Sequence, residues 1–299
     1  MIIGGMKEKV VANIERDAAA GNLNAKVEVN DPVFTKSEQR AVIQQYLHQD
    51  GTWRYRMNNH VSRHVASLAT RYFNRQTSFE GVANLKDITG GAIITSNHFN
   101  PLDNTVVRRL VQRTSKKRLY IVSRDTNLEM GGVIGYLMRY YDTIPISDDK
   151  EYAGRVFPQL VEKVLAAKQY LLIYPEQEMW FNYRKPRPVK RGAYYYAAKF
   201  GVPIISCFVE IVDLPRVDNA EFDQTRYVMH VLKPIYPDPN KSVRDNSRAM
   251  MAIDYQQKKA AYEKAYGKPL TYRFEADDVA GWRGERLPVR TEEKGQRLV

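Results

Sequence analysis

Between residues 78 and 233, short apolar runs of strand length alternate with segments of helical period. The runs are Ser78–Val82, Ala92–Ile94, Leu119–Val122, Thr143–Ile146, Tyr170–Tyr174, 203–212 and 226–233. Helical patterns near 102–114, 133–141, 151–168 and 191–200 fall between them. Such alternation joins successive strands by crossover helices, which favours parallel pairing with both faces of the sheet covered. The pattern predicts an α/β fold: a mixed, largely parallel sheet flanked by helices, with an N-terminal helical segment.

Outside that region the signals are weaker. Residues 7–50 read as mostly helical but polar, with interruptions at Gly21-Asn22-Leu23-Asn24 and Asn30-Asp31-Pro32. A polar, charged helix is expected near 244–266, and the tail from Thr271 has no clear period. No internal repeat or low-complexity tract is visible.

Composition limits the function classes. At 299 residues, with 43% hydrophobic and 27% charged residues, the chain can bury a large core. Its single cysteine, Cys207, excludes an internal disulfide and fits a reducing cytoplasm. That cysteine lies in the apolar run Pro203–Val209, where a buried strand residue is expected and not a nucleophile. The start, Met1-Ile2-Ile3-Gly4-Gly5-Met6-Lys7, lacks the apolar core of a signal peptide. No run approaches the ~18 apolar residues of a spanning helix, so a soluble or membrane-surface protein is expected. Lys and Arg number 46 against 34 Asp and Glu, a net charge of +12. Such an excess suits phospholipid headgroups, nucleic acid or a phosphorylated substrate, or is simply a solvated basic surface.

One stretch combines that charge with an apolar stripe. Met57, Val61, Val65, Leu68 and Tyr72 recur at steps of three and four. Arg54, Arg56, Arg63, Arg71 and Arg75 accompany them, and no acidic residue occurs between Asp50 and Glu80. A stripe of this kind packs on a core or lies in an anionic membrane interface, and one helix can do both.

The chemistry is expected at Ser96-Asn97-His98-Phe99-Asn100-Pro101-Leu102-Asp103, directly after the apolar run Gly91–Thr95. Pro101, Leu102 and Asp103 read as the first turn of a helix. His98 thus falls at a strand-to-helix junction, where α/β folds tend to place ligands. Folding back would bring Asp103 to one ring nitrogen of His98. The other would be free to take a proton from a hydroxyl.

This segment resembles the Asn-His-x-x-x-x-Asp motif of the glycerolipid acyltransferase family, and three later segments follow in the family's order. Tyr174-Pro175-Glu176-Gln177 matches the Pro and Glu of Phe-Pro-Glu-Gly-Thr-Arg, while Gln177, Glu178 and Met179 depart from it. Lys190-Arg191-Gly192 followed by Val202-Pro203-Ile204 resembles a lysine and glycine opening a helix before a Val-Pro-Ile strand. Arg124, Gly132 or Gly135, and Ile144-Pro145-Ile146 follow a fourth block, with Ser147 or Asp148 where an arginine belongs.

The resemblance covers about 78–235 and implies three segments. Residues 1–77 would be an N-terminal helical segment, possibly in contact with a membrane. Residues 78–240 would form the acyltransferase-like core, and 241–299 a C-terminal helix and tail. The implied activity is O-acyl transfer from an acyl thioester, acyl-CoA or acyl carrier protein, to a lipid or glycolipid hydroxyl. His98 would be the general base and Asp103 its partner. Asn97, Arg124, Glu176, Lys190, Arg191 and Gly192 would bind substrate, and backbone amides would support the oxyanion. Neither a metal nor a bound cofactor is implied. Val133, Ile134, Leu137 and Met138 would border the acyl chain or pack in the core.

Because arginine binds phosphate through paired hydrogen bonds, Ser147 and Met179 point away from lysophosphatidic acid as acceptor. Arg184, Lys185, Lys190 or Arg191 could replace the lost charge. The expected location is cytoplasmic, peripheral to the inner face of the membrane. The alternative is a non-catalytic membrane-surface binding protein on the same fold.

Other candidates are weaker. His60 and His64 share a helical face but have no acidic or cysteine partner with metal-ligand spacing. Tyr194-Tyr195-Tyr196 next to a basic loop resembles a base-stacking surface, but three consecutive residues of a helix face different ways. Nucleic acid is therefore not expected as a partner.

Overall fold

The computed structural model describes residues 7–29 and 32–284. The break expected at Asn30 and Asp31, the start at residues 1–6 and the tail beyond 284 lie outside the described residues.

Helices α1 (Lys7–Ala19), α2 (Lys36–Gln49) and α3 (Trp53–Phe73) precede the sheet. Strand β1 (Ser78–Glu80) is followed by β2 (Ala92–Thr95), α4 (Asn104–Thr114), β3 (Leu119–Arg124) and α5 (Gly132–Tyr140). Next come β4 (Thr143–Ile146), α6 (Phe157–Ala166), β5 (Tyr170–Leu172) and α7 (Gly192–Phe200). Strands β6 (Ile204–Val217) and β7 (Asp223–Val231) lead to α8 (Val243–Tyr266). The helix expected over 151–168 begins with a wider π turn, Tyr152–Val156, before α6.

The seven strands lie in the order β1-β7-β6-β2-β5-β3-β4. Every neighbouring pair is parallel except β6 with β7. The fold is the mixed, largely parallel α/β sheet that the alternation predicts. β2 is central, and all four of its residues are buried, which explains its unbroken apolar run. Its side chains alternate between two cores. Ile94 joins Phe99, Val106, Leu110 and Val209 on one face, while Ile93 joins Val161, Leu165, Tyr194 and Ile204 on the other. A third cluster packs Val10, Val11 and Ile14 of α1 with Trp180, Phe181, Tyr183, Phe222 and Val279. It thereby draws residues from all three expected segments into one core.

Two helices run against simple expectation. The stripe of α3 exists, but it faces solvent: Met57, Val61, Val65, Leu68 and Tyr72 are all exposed, Leu68 to 66%. Core packing, one of its two expected roles, is thereby corrected. What α3 turns inward is Asn59, Ser62, Ala66 and Thr70, because it docks on polar groups. Asn59 donates to Tyr140 O at 2.7 Å and to Asp142 Oδ1 at 2.9 Å. α5 packs beside α3, with Tyr136 Oη donating to Asn58 Oδ1 at 3.0 Å. Val133 and Ile134 of α5 are exposed too, so packing of this pair in the core is also corrected. The polar α8 buries Asn246, Ser247, Asp254 and Lys258 beside Met250 and Tyr262.

Candidate functional site

At the carboxyl end of β2 the chain leaves the sheet as Ser96-Asn97-His98. Asn97 is buried and spends its amide on β6, donating to Val209 O at 3.0 Å and accepting from Val209 N at 2.8 Å. This extends the β2–β6 pairing past the last strand residue and pins the loop. Pro101, Leu102 and Asp103 form a turn before α4 and not its first turn, a correction to the sequence reading. The turn lets the Asp103 side chain fold back instead of capping the helix.

Asp103 Oδ2 lies 2.7 Å from His98 Nδ1 and accepts from Phe99 N at 3.0 Å and Asn100 N at 3.3 Å. Its other oxygen, Oδ1, accepts from Tyr174 Oη at 2.6 Å. The His98 ring lies almost parallel on the Tyr174 ring, with centroids 4.0 Å apart and planes 13° apart. Asp103 is buried, while the His98 side chain keeps 21% exposure. Burial first, and then the Asp103 charge, push the Tyr174 phenol well above its ordinary range, so it stays protonated and donates. Nδ1 is the only ring nitrogen of His98 with a hydrogen bond among the described residues. The arrangement can therefore hold a proton on Nδ1 and leave Nε2 as a base.

Glu176 braces this loop from below. Its Oε2 accepts from His98 N at 3.3 Å and lies 2.9 Å from the Arg187 guanidinium, while Oε1 accepts from Arg187 N at 3.0 Å. Both side chains are buried. Arg187 also donates to Leu23 O at 3.1 Å and to Glu178 O, and its guanidinium lies over the Trp180 ring. Desolvation lowers the basicity of this guanidinium, against the attraction of Glu176. The segment after α1 closes over the same loop, with Asn24 Nδ2 donating to Pro188 O at 2.8 Å.

Gln177, at the glycine position of the family pattern, stands at φ 68. That left-handed conformation explains why a glycine suits the position. The remaining candidates are spread around the site. Lys190 and Arg191 are exposed just before α7, tied to the loop by Lys190 N donating to Pro175 O at 2.7 Å. Gly192 opens α7, and a Cβ there would meet nothing within 4 Å. Arg124 faces Asp148 through two bonds of 3.2 and 3.1 Å. Ser147 is buried.

The basic loop is less available than its composition implies. Arg184 pairs with Asp213, and Lys185 pairs with Asp278 at 2.7 Å with both side chains buried. Lys190 and Arg191 form no ion pair among the described residues. Cys207 is fully buried, and burial pushes its thiol up to about 12, so it is no nucleophile near neutral pH. Tyr194 is buried, Tyr195 is exposed and Tyr196 stacks on Phe200, so the three tyrosines form no common face.

Residues 76–210 match the model of the acyltransferase family. Over that span, a little under half of its length, the chain is similar to the acyltransferases. The matched span holds the whole cluster around His98, Asp103, Tyr174, Glu176 and Arg187. A search of curated proteins found no significant match. Among solved structures, the 1-acyl-sn-glycerophosphate (LPA) acyltransferase PlsC from Thermotoga maritima is similar over 89% of this chain and 99% of that one. The identity is 14% and the TM-score 0.48, and nothing about the acceptor follows from it.

The sequence reading missed Tyr174 and Arg187. Tyr174 was legible only as a tyrosine where the family pattern has phenylalanine. Arg187 was one of several cations in a loop, with no local sign that it is buried.

Proposed function

We propose that this protein moves a fatty acyl group from an acyl thioester, acyl-CoA or acyl carrier protein, to a hydroxyl of a lipid or glycolipid. The observation that carries the reading is the 2.7 Å contact between His98 Nδ1 and buried Asp103. Nε2 of His98 takes the proton of the acceptor hydroxyl as its oxygen bonds to the thioester carbonyl carbon. The C–S bond then breaks, and the imidazolium returns that proton to the leaving thiolate. Asp103 holds the tautomer and offsets the charge of the imidazolium. No covalent enzyme intermediate is needed. Glu176 and Asn97 act through the loop they hold, and the chemistry resides in residues 78–240, with 1–77 and 241–299 as accessory segments.

The acceptor is read from which cations are free. Arg124, Arg184, Lys185 and Arg187 each have a carboxylate partner. Ser147 and Met179 offer no positive charge. Lys190 and Arg191 remain, at the start of α7, where a helix favours an anion. The lack of arginine at Ser147 and Met179 supports an acceptor that does not depend on a phosphate clamp, and Lys190 and Arg191 are the cations that a phosphate would have to use instead. The reading also includes peripheral binding to an anionic membrane, at its inner face, through the exposed side of α3. No described helix is long and apolar enough to cross a membrane. A non-catalytic membrane-surface protein would share that face but leaves the His98–Asp103 geometry without a use.

His98→Ala should retain the fold and lose ~10²–10⁴ in rate, measured with labelled acyl donor and a lipid extract. A folded variant with near-normal turnover would falsify the general-base reading. Initial rates on lysophosphatidic acid, monoacylglycerol and glycolipid acceptors test the second part. Selective acylation of lysophosphatidic acid would mean that Lys190 and Arg191 bind phosphate after all.

A further inference from the structure

Asp103 is a carboxylate with two differently employed oxygens. Oδ2 serves His98 and two backbone amides, whereas Tyr174 Oη is the only partner of Oδ1 among the described residues. The same tyrosine supplies the surface on which the imidazole lies, 4.0 Å between centroids. It stands directly after β5 and Ile173, on the strand hydrogen-bonded to β2, so both contacts follow from sheet register. A phenylalanine here would give the stack and no hydrogen bond.

We propose that Tyr174 is a positioning residue that tunes the basicity of His98 through Asp103, its ring fixing the imidazole plane and its hydroxyl sharing the carboxylate charge. This rests on the acyl-transfer reading for its purpose, though not for its test. A hydrogen bond to a carboxylate stabilises its charge and weakens the hold of that charge on a neighbouring imidazolium. With the hydroxyl in place, one oxygen of Asp103 orients His98 while the other is engaged by Tyr174. Without the hydroxyl, Oδ1 would be a buried acceptor with no donor, and its charge would act more fully on His98.

The other groups facing the cluster leave this division intact. Glu176 contacts the backbone of His98 and is neutralised by Arg187. Arg108 of α4 spends its guanidinium on Leu119 O and Tyr141 O, each at 3.0 Å. Cys207 of β6 and Tyr227 of β7 are each pushed up to about 12 by burial, so both are neutral near pH 7.

The test is Tyr174→Phe in the full chain, with the His98 ring titrated by NMR and the pH profile of kcat/KM measured in parallel. The expected result is a His98 titration raised by roughly half a unit to one unit, with the acid limb of the rate profile moving by the same amount. Asp103→Asn should abolish the effect, so that Tyr174→Phe adds no shift in that background. Tyr174→Leu, which removes the ring as well, should lower kcat further than Tyr174→Phe does. An unmoved His98 titration in folded Tyr174→Phe overturns the proposal, even if its melting temperature falls. So does an equal shift in the Asp103→Asn background. Because the titration needs no substrate, a protein without acyl transfer would sink the functional reading and leave this one open to decision. If Tyr174→Phe fails to fold, the same titration on Tyr174→Trp, which keeps a ring and removes the hydroxyl, decides the matter by the same criteria.

Discussion

The two long helices α3 and α8 both invert the usual distribution of residues, in opposite ways. α3 leaves its apolar stripe in solvent and docks through Asn59, Ser62, Ala66 and Thr70. α8 buries an ion pair: Lys258 Nζ donates to Asp254 Oδ2 at 2.7 Å and to Thr95 Oγ1 at 3.0 Å, and Tyr194 Oη donates to the same carboxylate. Both side chains of that pair are almost wholly inaccessible, at 1% and 0%. The difference shows that burial follows partners and not polarity alone. The charges of α8 are satisfied by each other and by β2, so they can be enclosed. Met57, Val61, Val65, Leu68 and Tyr72 of α3 stand exposed side by side, and an exposed apolar face of this kind marks an interaction surface. The arginines fit the same picture. Arg63 turns inward toward Asp142 at 3.6 Å, while Arg54, Arg56, Arg71 and Arg75 stay exposed along the apolar stripe.

The largest expected effect is on α8. Lys258→Met removes one member of a buried pair and should cost about 3–5 kcal/mol of unfolding free energy in a denaturant titration. Asp254→Leu combined with Lys258→Met should recover most of that loss, because no uncompensated charge remains. A Lys258→Met cost below ~1 kcal/mol would break the comparison on the α8 side.

Next is the inner face of α3. Asn59→Ala removes the donor to Tyr140 O and Asp142 and the acceptor for Arg118 at 2.9 Å. A loss of about 1–3 kcal/mol is expected, since buried polar groups lose their partners.

The outer face should behave oppositely. Val65→Asp with Leu68→Asp should change stability by no more than about 0.5 kcal/mol per site. Binding to anionic liposomes in a sedimentation assay should fall tenfold or more, since each lost apolar side chain removes about 1.5–3 kcal/mol of burial. Salt should weaken wild-type binding, as screening shortens to ~3 Å at 1 M. Unfolding of the double variant would show that the face is packed; full retention of liposome binding would show that it is not the membrane surface.

The smallest effect concerns Gln177. Its left-handed backbone costs a side-chain residue roughly 1–2 kcal/mol, partly offset by the greater unfolded-state entropy of glycine. Gln177→Gly should therefore raise the melting temperature slightly, consistent with a gain of about 0.5 kcal/mol. A clear loss of stability would mean that the glutamine side chain makes a compensating contact.

Much of the fold was legible because its signals are local. A four-residue apolar run such as Ala92–Thr95 is readable as a buried strand wherever it lies in the sheet. The His98–Asp103 pair was also legible, since its members are five residues apart and a turn suffices to join them. Availability of charge was not legible. Arg184, Lys185 and Arg187 look alike in sequence, yet each is taken by a different carboxylate, at Asp213, Asp278 and Glu176.

By itself the sequence determined the order of strands and helices, the pairing of His98 with Asp103 and the existence of a stripe on α3. These depend on periodicity and on neighbours within a turn or two of the chain. Only the tertiary structure decided which way the stripe faces, which cations are spent and what holds Asp103 from its second side. Tyr174 reaches Asp103 across 71 positions, and Thr95 meets Asp254 across 159. Such contacts are set by sheet register and by the satisfaction of buried polar groups. The physical reason is that burial energy belongs to pairs of surfaces, and the second surface is absent from any local window of sequence.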